Sequence, residues 1–124
     1  NCDYQARVAK WMQACFGPEI SADKTERAFR FIEEALELVQ AQGQTRAEVE
    51  TLVGYVFDRP AGETPQEVGG VMVCIAALCN AAGLDLEGCS EAELARCWDK
   101  IERIRAKHAA KPVGVRTALP GQVP

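Results

Sequence analysis

Apolar side chains recur every three or four positions through most of this chain, which is the spacing of helices with one buried face. Glycine, proline and helix-capping residues divide the pattern into five predicted helices. We expect them at residues 3–16, 21–42, 45–58, 64–83 and 90–108. The pattern therefore predicts an all-α fold, a bundle of about five helices.

Local signals set the predicted helix ends. The second helix begins at Ser21 or Asp23, and three starts carry a Ser or Thr followed three residues later by Glu, the pattern of a capping box. Those pairs are Thr45–Glu48, Thr64–Glu67 and Ser90–Glu93. The final stretch, KPVGVRTALPGQVP, has prolines and glycines but no periodicity. We therefore expect a single domain over residues 1–108 and a flexible tail over residues 109–124.

The second helix separates its side chains cleanly around a helical wheel. One half is apolar and contains Ala28, Phe29, Phe31, Ile32, Ala35, Leu36, Leu38 and Val39. The other half is charged and contains Glu26, Arg27, Arg30, Glu33, Glu34 and Glu37. We expect the apolar half to pack on the core and the charged half to face water or a polar ligand.

The fourth helix is apolar on every side, because Asn80 is its only strongly polar residue after position 67. Such a helix is expected to be buried. Gly69 and Gly70 each cost about 1 kcal/mol relative to Ala, which is tolerable where a backbone or ligand approaches closely. The apolar run at residues 68–78 is too short to span a bilayer. A chain this small buries such a helix best at a twofold interface, so we expect a homodimer or homotetramer.

Composition narrows the class of protein. The net charge of −4 and the lack of a basic stripe argue against nucleic-acid binding. The six cysteines form no CxxC pair and no zinc-ligand spacing. They favour reduced thiols and a cytoplasmic protein over a secreted disulfide framework.

The carboxylates at Glu33, Glu34 and Glu37 have two interpretations. On a solvated helix face, Arg30 would pair with Glu34 one turn away, and Glu67 would complete a capping box. Alternatively, the acids hold a divalent cation, which turns repulsion between like charges into attraction. Helical bundles build such sites from facing helices, so Glu67 would supply a third carboxylate.

Two motifs extend this second interpretation. Residues 33–37, EEALE, match EExxE, and residues 67–70, EVGG, stand where an ExxD motif precedes an apolar helix. That helix ends in NAAGLD, which is similar to N-x-x-G-I-D. Over residues 26–105 the chain resembles the MazG-like, all-α nucleoside triphosphate pyrophosphohydrolases.

The resemblance implies a dimeric helical bundle that hydrolyses a (deoxy)nucleoside triphosphate to the monophosphate and pyrophosphate with Mg²⁺ or Mn²⁺. Glu34, Glu37 and Glu67 would be the metal ligands. Glu33 would be a further ligand or would orient the attacking water. The family serves nucleotide-pool control and cleanup, also in bacteriophages, and phosphoribosyl-ATP pyrophosphatase shares the acid pattern.

The resemblance also implies residues that contact substrate. Arg30 stands at a basic position of the family, and Lys100 and Arg103 lie in a stretch that contacts phosphates in relatives, although they would equally suit a solvated face. Trp11 is either a base-stacking residue or a core residue, with Tyr4 and Phe16 as other stacking candidates. Asn80 would bind a base or satisfy backbone at the helix end. His108, the only histidine, is expected at the edge of the tail, which disfavours a Cys–His nucleophile.

One departure from the motif leaves two functions open. The chain has Gly70 where the family has Asp, so one carboxylate of the metal site is absent. Either Glu33 or water replaces it and catalysis is retained, or the protein is a non-catalytic helical dimer that binds nucleotide or protein. Pyrophosphate release distinguishes the enzyme from the binding module.

Overall fold

The computed structural model describes residues 2–112 and 114, without the side chain of Cys2. Every regular element in this part of the chain is a helix, which confirms the all-α prediction. The helices are α1 (Cys2–Ala22), α2 (Lys24–Ala41), α3 (Arg46–Phe57), α4 (Thr64–Ala82), α5 (Leu86–Asp99) and α6 (Ile101–Ala109). Residues 113 and 115–124, most of the predicted tail, lie outside the described residues.

Two compact units divide the chain. The first comprises the described parts of Asn1–Glu37 and Glu93–Pro124, and the second is Leu38–Ala92. Each unit is described by itself below. The expected single domain over residues 1–108 stays a prediction.

A glycine interrupts α1, and an aspartate caps the start of α2. Gly17 interrupts α1 with φ 82°, a conformation that favours glycine, and Pro18 starts its second segment. The predicted end at residue 16 therefore corresponds to this interruption. The Asp23 carboxylate accepts a 3.0 Å hydrogen bond from the backbone N–H of Glu26, so Asp23 rather than Ser21 caps α2.

The capping predictions had different outcomes. Thr45 and Glu48 form the predicted capping box at the start of α3. The box at Thr64 is wrong, because the helix already includes Thr64 and the N–H of Glu67 donates to the Glu63 carbonyl at 3.0 Å. The Glu67 carboxylate instead lies against Gly62, where a Cβ would clash with it. Gly83 ends α4 with φ 71°, as expected.

The predicted fifth helix is two helices. An Asp85 carboxylate oxygen accepts from the Gly88 N–H at 2.8 Å, so α5 begins four residues before Ser90. Ser90 is inside the helix, where its hydroxyl donates to the Leu86 carbonyl at 2.7 Å, and the predicted capping box is wrong. Lys100 leaves helical geometry (φ −120°, ψ 24°) and separates α5 from α6.

The core of the first unit lies between α1 and α6. Met12, Cys15, Phe16 and Ile20 are its buried residues, and Ile101 and Ile104 of α6 pack against them. Arg105 of α6 joins the two helices, because its guanidinium donates a 2.6 Å hydrogen bond to the Cys15 carbonyl.

The second unit exposes most of its apolar surface. Cys79 is the buried residue of α4, so the single chain does not bury this helix as the sequence analysis expected. The exposed large side chains of α3 and α4 are Leu52, Val53, Tyr55, Val56, Phe57, Val68, Val71, Met72 and Val73. By length and composition alone, α4 is long and apolar enough to cross a bilayer. Core helices of soluble proteins meet the same criterion. The apolar run at residues 68–78 therefore underestimated the apolar length of this helix.

Replacing Thr45 with Ala should lower the free energy of unfolding by about 1 kcal/mol, because the capping box loses its side-chain acceptor. Thr51→Ala is the matched control, since Thr51 bonds the Ala47 carbonyl inside the same helix. Chemical denaturation of both variants measures the difference. Equal losses would show that the capping box does not determine the stability of α3.

Candidate functional site

A cavity of about 330 Å³ lies within the first unit and has contributions from α1, α2, α5 and α6. Five cationic side chains and three carboxylates line it. They are Arg27, Arg30, Arg96, Lys107 and Lys111, with Glu33, Glu34 and Glu93. The volume and the convergence of charged groups are typical of a small-molecule site, and the excess of cations favours an anionic ligand.

The charged half of α2 faces this cavity, and its innermost residue is Glu26. Only 1% of Glu26 is exposed, and Arg30 Nε lies 2.8 Å from its carboxylate. Arg27 Nη2 lies 3.6 Å from the same carboxylate. Two guanidinium groups therefore neutralise a charge that was expected to face water or a polar ligand.

The apolar half of α2 has the opposite environment from the one expected. Phe31 is 52% exposed, and Ile32 and Leu36 are also exposed. The prediction that this half packs on the core is therefore wrong for the single chain. The wheel separated the two halves correctly, but paired charges allowed Glu26, in the charged half, to be the buried residue of α2.

Glu33 lies between two cations from distant parts of the chain. Its carboxylate accepts from Arg30 Nη1 and from Lys111 Nζ, both at 2.9 Å. Burial raises the pKa of Glu33, but the hydrogen bond and charge of Lys111, followed by the charge of Arg30, lower it by more. Glu33 therefore remains ionised at a lower pH than an ordinary Glu side chain does.

Glu34 has the opposite electrostatic environment. Burial raises its pKa, and the charge and hydrogen bond of Glu37, followed by the charge of Glu93, raise it further. These acids are thus close enough to repel each other, as the i,i+3 spacing of Glu34 and Glu37 predicts. The nearby Glu93 carboxylate pairs with Arg96.

Aromatic rings form another part of the cavity wall. The ring centroids of Trp11 and Phe16 are 5.8 Å apart in an edge-to-face arrangement, and His108 lies 5.3 Å from Phe16. The Arg27 guanidinium lies 5.8 Å from the centre of the Phe16 ring. Trp11 Nε1 is buried and makes no hydrogen bond with any described residue. This part of the wall offers a flat apolar surface next to a cation.

Two residues near the predicted tail belong to the site. His108 is 1% exposed and packs on Phe16, so its predicted place at the edge of a tail is wrong. Lys111, assigned to the flexible tail, lines the cavity and its side chain is only 15% exposed. Helix α6 and its aromatic and ionic contacts explain why the ordered chain continues past residue 108.

Of the nine predicted site residues, four line the cavity: Trp11, Arg30, Glu33 and Glu34. Glu37 is exposed beside Glu34, whereas Lys100 lies at the break before α6 and Arg103 is exposed on α6. Glu67 and Asn80 are on α4 in the second unit, and the Asn80 carbonyl accepts from the Gly83 N–H at 3.4 Å. That contact uses the Asn80 backbone, so both roles predicted for its side chain stay predictions.

Several residues of the cavity were not predicted from the sequence. They are Arg27, Glu93, Arg96, Lys107, His108 and Lys111. A usable signal was the i,i+4 spacing of Lys107 and Lys111, which places two cations on one side of a helix end. No local signal marks their approach to α2, because Glu33 and Lys111 are 78 positions apart in the sequence.

Cys15 and Cys97, two described thiols of the first unit, are not activated as nucleophiles. The five described cysteine side chains are free, and burial raises the pKa of Cys15 to about 11. Burial also raises the pKa of Cys97, which lines the cavity, and the charge of Glu93 adds to this effect. Since thiolates rather than thiols attack, neither group is activated.

Metal ligands are present in part. Within residues 2–112, no three His, Cys, Asp or Glu side chains come together as ligands for one ion. The Glu34–Glu37 pair nevertheless suits a hard divalent cation, because its carboxylates repel each other and Mg²⁺ often uses only one or two carboxylates with water and phosphate oxygens.

Neither a protein-family model nor a curated protein nor a solved structure matches this chain. The cavity and the motif resemblance are therefore the two indications of function. Both lead to the same part of α2.

Glu34→Gln should make the protein more stable at pH 7 by a few tenths of a kcal/mol, because it removes a carboxylate repelled by its neighbours. The folded state raises the pKa of Glu34, so protonation favours folding. This contribution is fully present below the unfolded pKa and is lost as pH rises through the folded pKa. The advantage of the variant should therefore disappear near pH 4.

Unfolding in urea at several pH values measures this difference. Glu50→Gln on α3 is the control, because Glu50 is exposed and lies outside the first unit. A Glu34→Gln variant that is less stable than wild type at pH 7 would contradict the repulsion between these acids.

Proposed function

We propose that this protein is a metal-dependent nucleoside triphosphate pyrophosphohydrolase that acts on a ribo- or deoxyribonucleotide in nucleotide-pool control or cleanup. The observation that supports it is one cavity in which Glu33 and Glu34, two of the three EExxE acids, face cations from α5, α6 and the segment after α6. The resemblance to MazG-like enzymes links that motif to triphosphate hydrolysis.

The side chains have distinct roles in this proposal. Glu34 and Glu37 would hold Mg²⁺ or Mn²⁺, which would neutralise phosphate charge and lower the pKa of a water molecule. Glu33 would orient the attacking water. Arg30, fixed by buried Glu26, would position Glu33 in the free protein, because its guanidinium forms ion pairs with both carboxylates.

The polyphosphate would lie against the cations. Cleavage of a phosphoanhydride depends mainly on alignment and charge neutralisation, so fixed cations stabilise the charge that develops on the leaving pyrophosphate. Arg96 and Lys107 suit this task because both line the cavity. Lys100 and Arg103 remain candidates for phosphate contacts at its margin, and Glu67 remains a candidate third ligand.

The nucleobase would stack on the aromatic part of the wall. Trp11 offers its ring, which lines the cavity beside Phe16. Asn80 remains a candidate contact to the base. The cavity therefore accommodates both chemical halves of a nucleotide.

A second candidate is a helical module that binds nucleotide or protein without turnover. Two observations favour it: the Gly70 departure, and the lack of a three-ligand metal group among residues 2–112. Such a module would keep the basic cavity and bind the same anions, but it would not consume them.

We also propose that the protein is a cytoplasmic homodimer or homotetramer in which copies cover the apolar faces of α3 and α4. Phe57, at 82% exposure, and Met72 belong to a surface too large and apolar to remain in water. A Cβ added at Gly69 or Gly70 would meet nothing within 4 Å, so a neighbouring helix has room to approach the backbone. The free thiols fit a reducing compartment.

Incubation of the purified protein with each common nucleoside triphosphate, first with Mg²⁺ and then with Mn²⁺, should yield monophosphate and pyrophosphate from at least one. Glu34→Gln and Glu37→Gln should each lower kcat by about 100-fold or more, because they weaken the metal site. Glu102→Gln is the control, since Glu102 is exposed on α6 outside the cavity.

Anion-exchange chromatography separates the products of this assay. Release of orthophosphate would contradict the proposed reaction. Binding of nucleotides without turnover of any would establish the binding module instead.

Sedimentation of the wild-type protein at micromolar concentration should give a dimer or tetramer, and Met72→Asp should shift it toward the monomer by placing a charge in the apolar face. Gln42→Asp is the control, because Gln42 is exposed in the turn after α2. A wild-type monomer would contradict the proposed assembly, and recovery only from membranes or detergent would indicate that α4 is covered by lipid.

A further inference from the structure

We propose that Arg30, Lys107 and Lys111 form an anion-binding subsite that Glu33 occupies in the free protein, and that the polyphosphate of a ligand displaces Glu33 from it. The inference rests on the proposed function for the identity of the physiological ligand. The exchange itself concerns any inorganic or organic polyphosphate.

The bonding of Glu33 has the form of a bound anion. Its two oxygens separately accept from a guanidinium and an ammonium at 2.9 Å each. These are the donors and distances that phosphate oxygens use in proteins. Glu33 thus contacts two cations of the cavity that the oxygens of a ligand could contact in the same way.

The two cations differ in their freedom to exchange partners. Arg30 is anchored, because Nε remains on buried Glu26 at 2.8 Å while Nη1 contacts Glu33. Lys111 lies two residues beyond the end of α6 and presents a compact charge on a flexible stem. Arg30 therefore provides a fixed donor and Lys111 an adjustable one.

A third cation adds to the attraction. Lys107 lines the cavity, and its ammonium pairs with no carboxylate in the described part of the chain. Its charge and that of Lys111 both lower the pKa of Glu33, so the two ammonium groups lie close enough to act on a common anion. A polyphosphate brings more negative charge to these cations than one carboxylate does, which favours displacement of Glu33.

Displacement has a consequence for the proposed chemistry. Glu33 is tied to Lys111 in the free protein and becomes available to orient water only when a polyphosphate takes Lys111. Occupation of the subsite would therefore couple substrate binding to release of the carboxylate that the reaction needs.

Calorimetric titration with inorganic tripolyphosphate, without divalent metal and at constant ionic strength, tests the exchange. Glu33→Gln should bind about fivefold more tightly than wild type, because a competing carboxylate is removed. Lys111→Met should bind about fivefold more weakly. In the double variant the gain from Glu33→Gln should disappear, because Lys111 is no longer there to be released.

Glu102→Gln is the matched control, since it removes the same charge from an exposed position outside the cavity. Circular dichroism checks folding, and Lys111→Gln replaces Lys111→Met if the latter loses helical signal. An equal gain from Glu33→Gln with and without Lys111 would overturn the exchange, because it would reflect general repulsion alone. No gain at all would overturn it as well.

The titration is independent of turnover. Exchange in a protein that hydrolyses no nucleotide would refute the proposed enzyme and leave the subsite standing. Pyrophosphate release by a protein without the Lys111-dependent gain would refute the subsite and leave the enzyme standing.

Discussion

The buried carboxylate of Glu26 determines how the first unit is arranged. A charge with 1% exposure requires cationic partners, and Arg30 and Arg27 of the same helix provide them. Removing one partner from a buried pair typically costs about 3–5 kcal/mol, so Glu26 stays buried only with these cations beside it. Glu33 and Glu34 follow Glu26 at seven and eight positions, which places them on the same side of the helix. The side of α2 that contains the buried ion pairs thus also brings Glu33 and Glu34 to the cavity.

This orientation leaves α2 with an apolar face in water. Phe31 and Ile32 are about half exposed, while the first unit obtains its apolar core from α1 and α6. Together with the exposed residues of α3 and α4, they form more apolar surface than a soluble monomer usually shows. Association of copies would bury that surface without disturbing the charged half of α2. Function and assembly would then use opposite halves of one helix.

The sequence predicted the fold where the signals are local. Gly17, Gly43, Gly83 and the Thr45 capping box end or begin helices for reasons that act within a few residues. The Ser90 box failed because Asp85 provided an earlier cap, a competition that spacing alone does not decide. The site was predictable for Arg30, Glu33 and Glu34, which belong to one motif on one helix. It was not predictable for Lys111 or His108, because their contacts join segments far apart in sequence.

Burial was the least predictable property. The helical wheel identifies two halves of α2, but hydrophobicity alone assigns the apolar half to the interior. That assignment neglects the possibility that Arg27 and Arg30 neutralise Glu26 and make the charged half acceptable inside. It also neglects partner chains, which would cover residues that a single chain exposes.

The two adjacent acids Glu33 and Glu34 have different environments, which would suit the proposed catalysis. Cations from α2 and the segment after α6 lower the pKa of Glu33, whereas burial and neighbouring carboxylates raise that of Glu34. Active sites commonly give neighbouring titratable groups different roles by shifting their pKa values apart. An ionised Glu33 suits the orientation of water, and a crowded Glu34 suits a cation that relieves its repulsion.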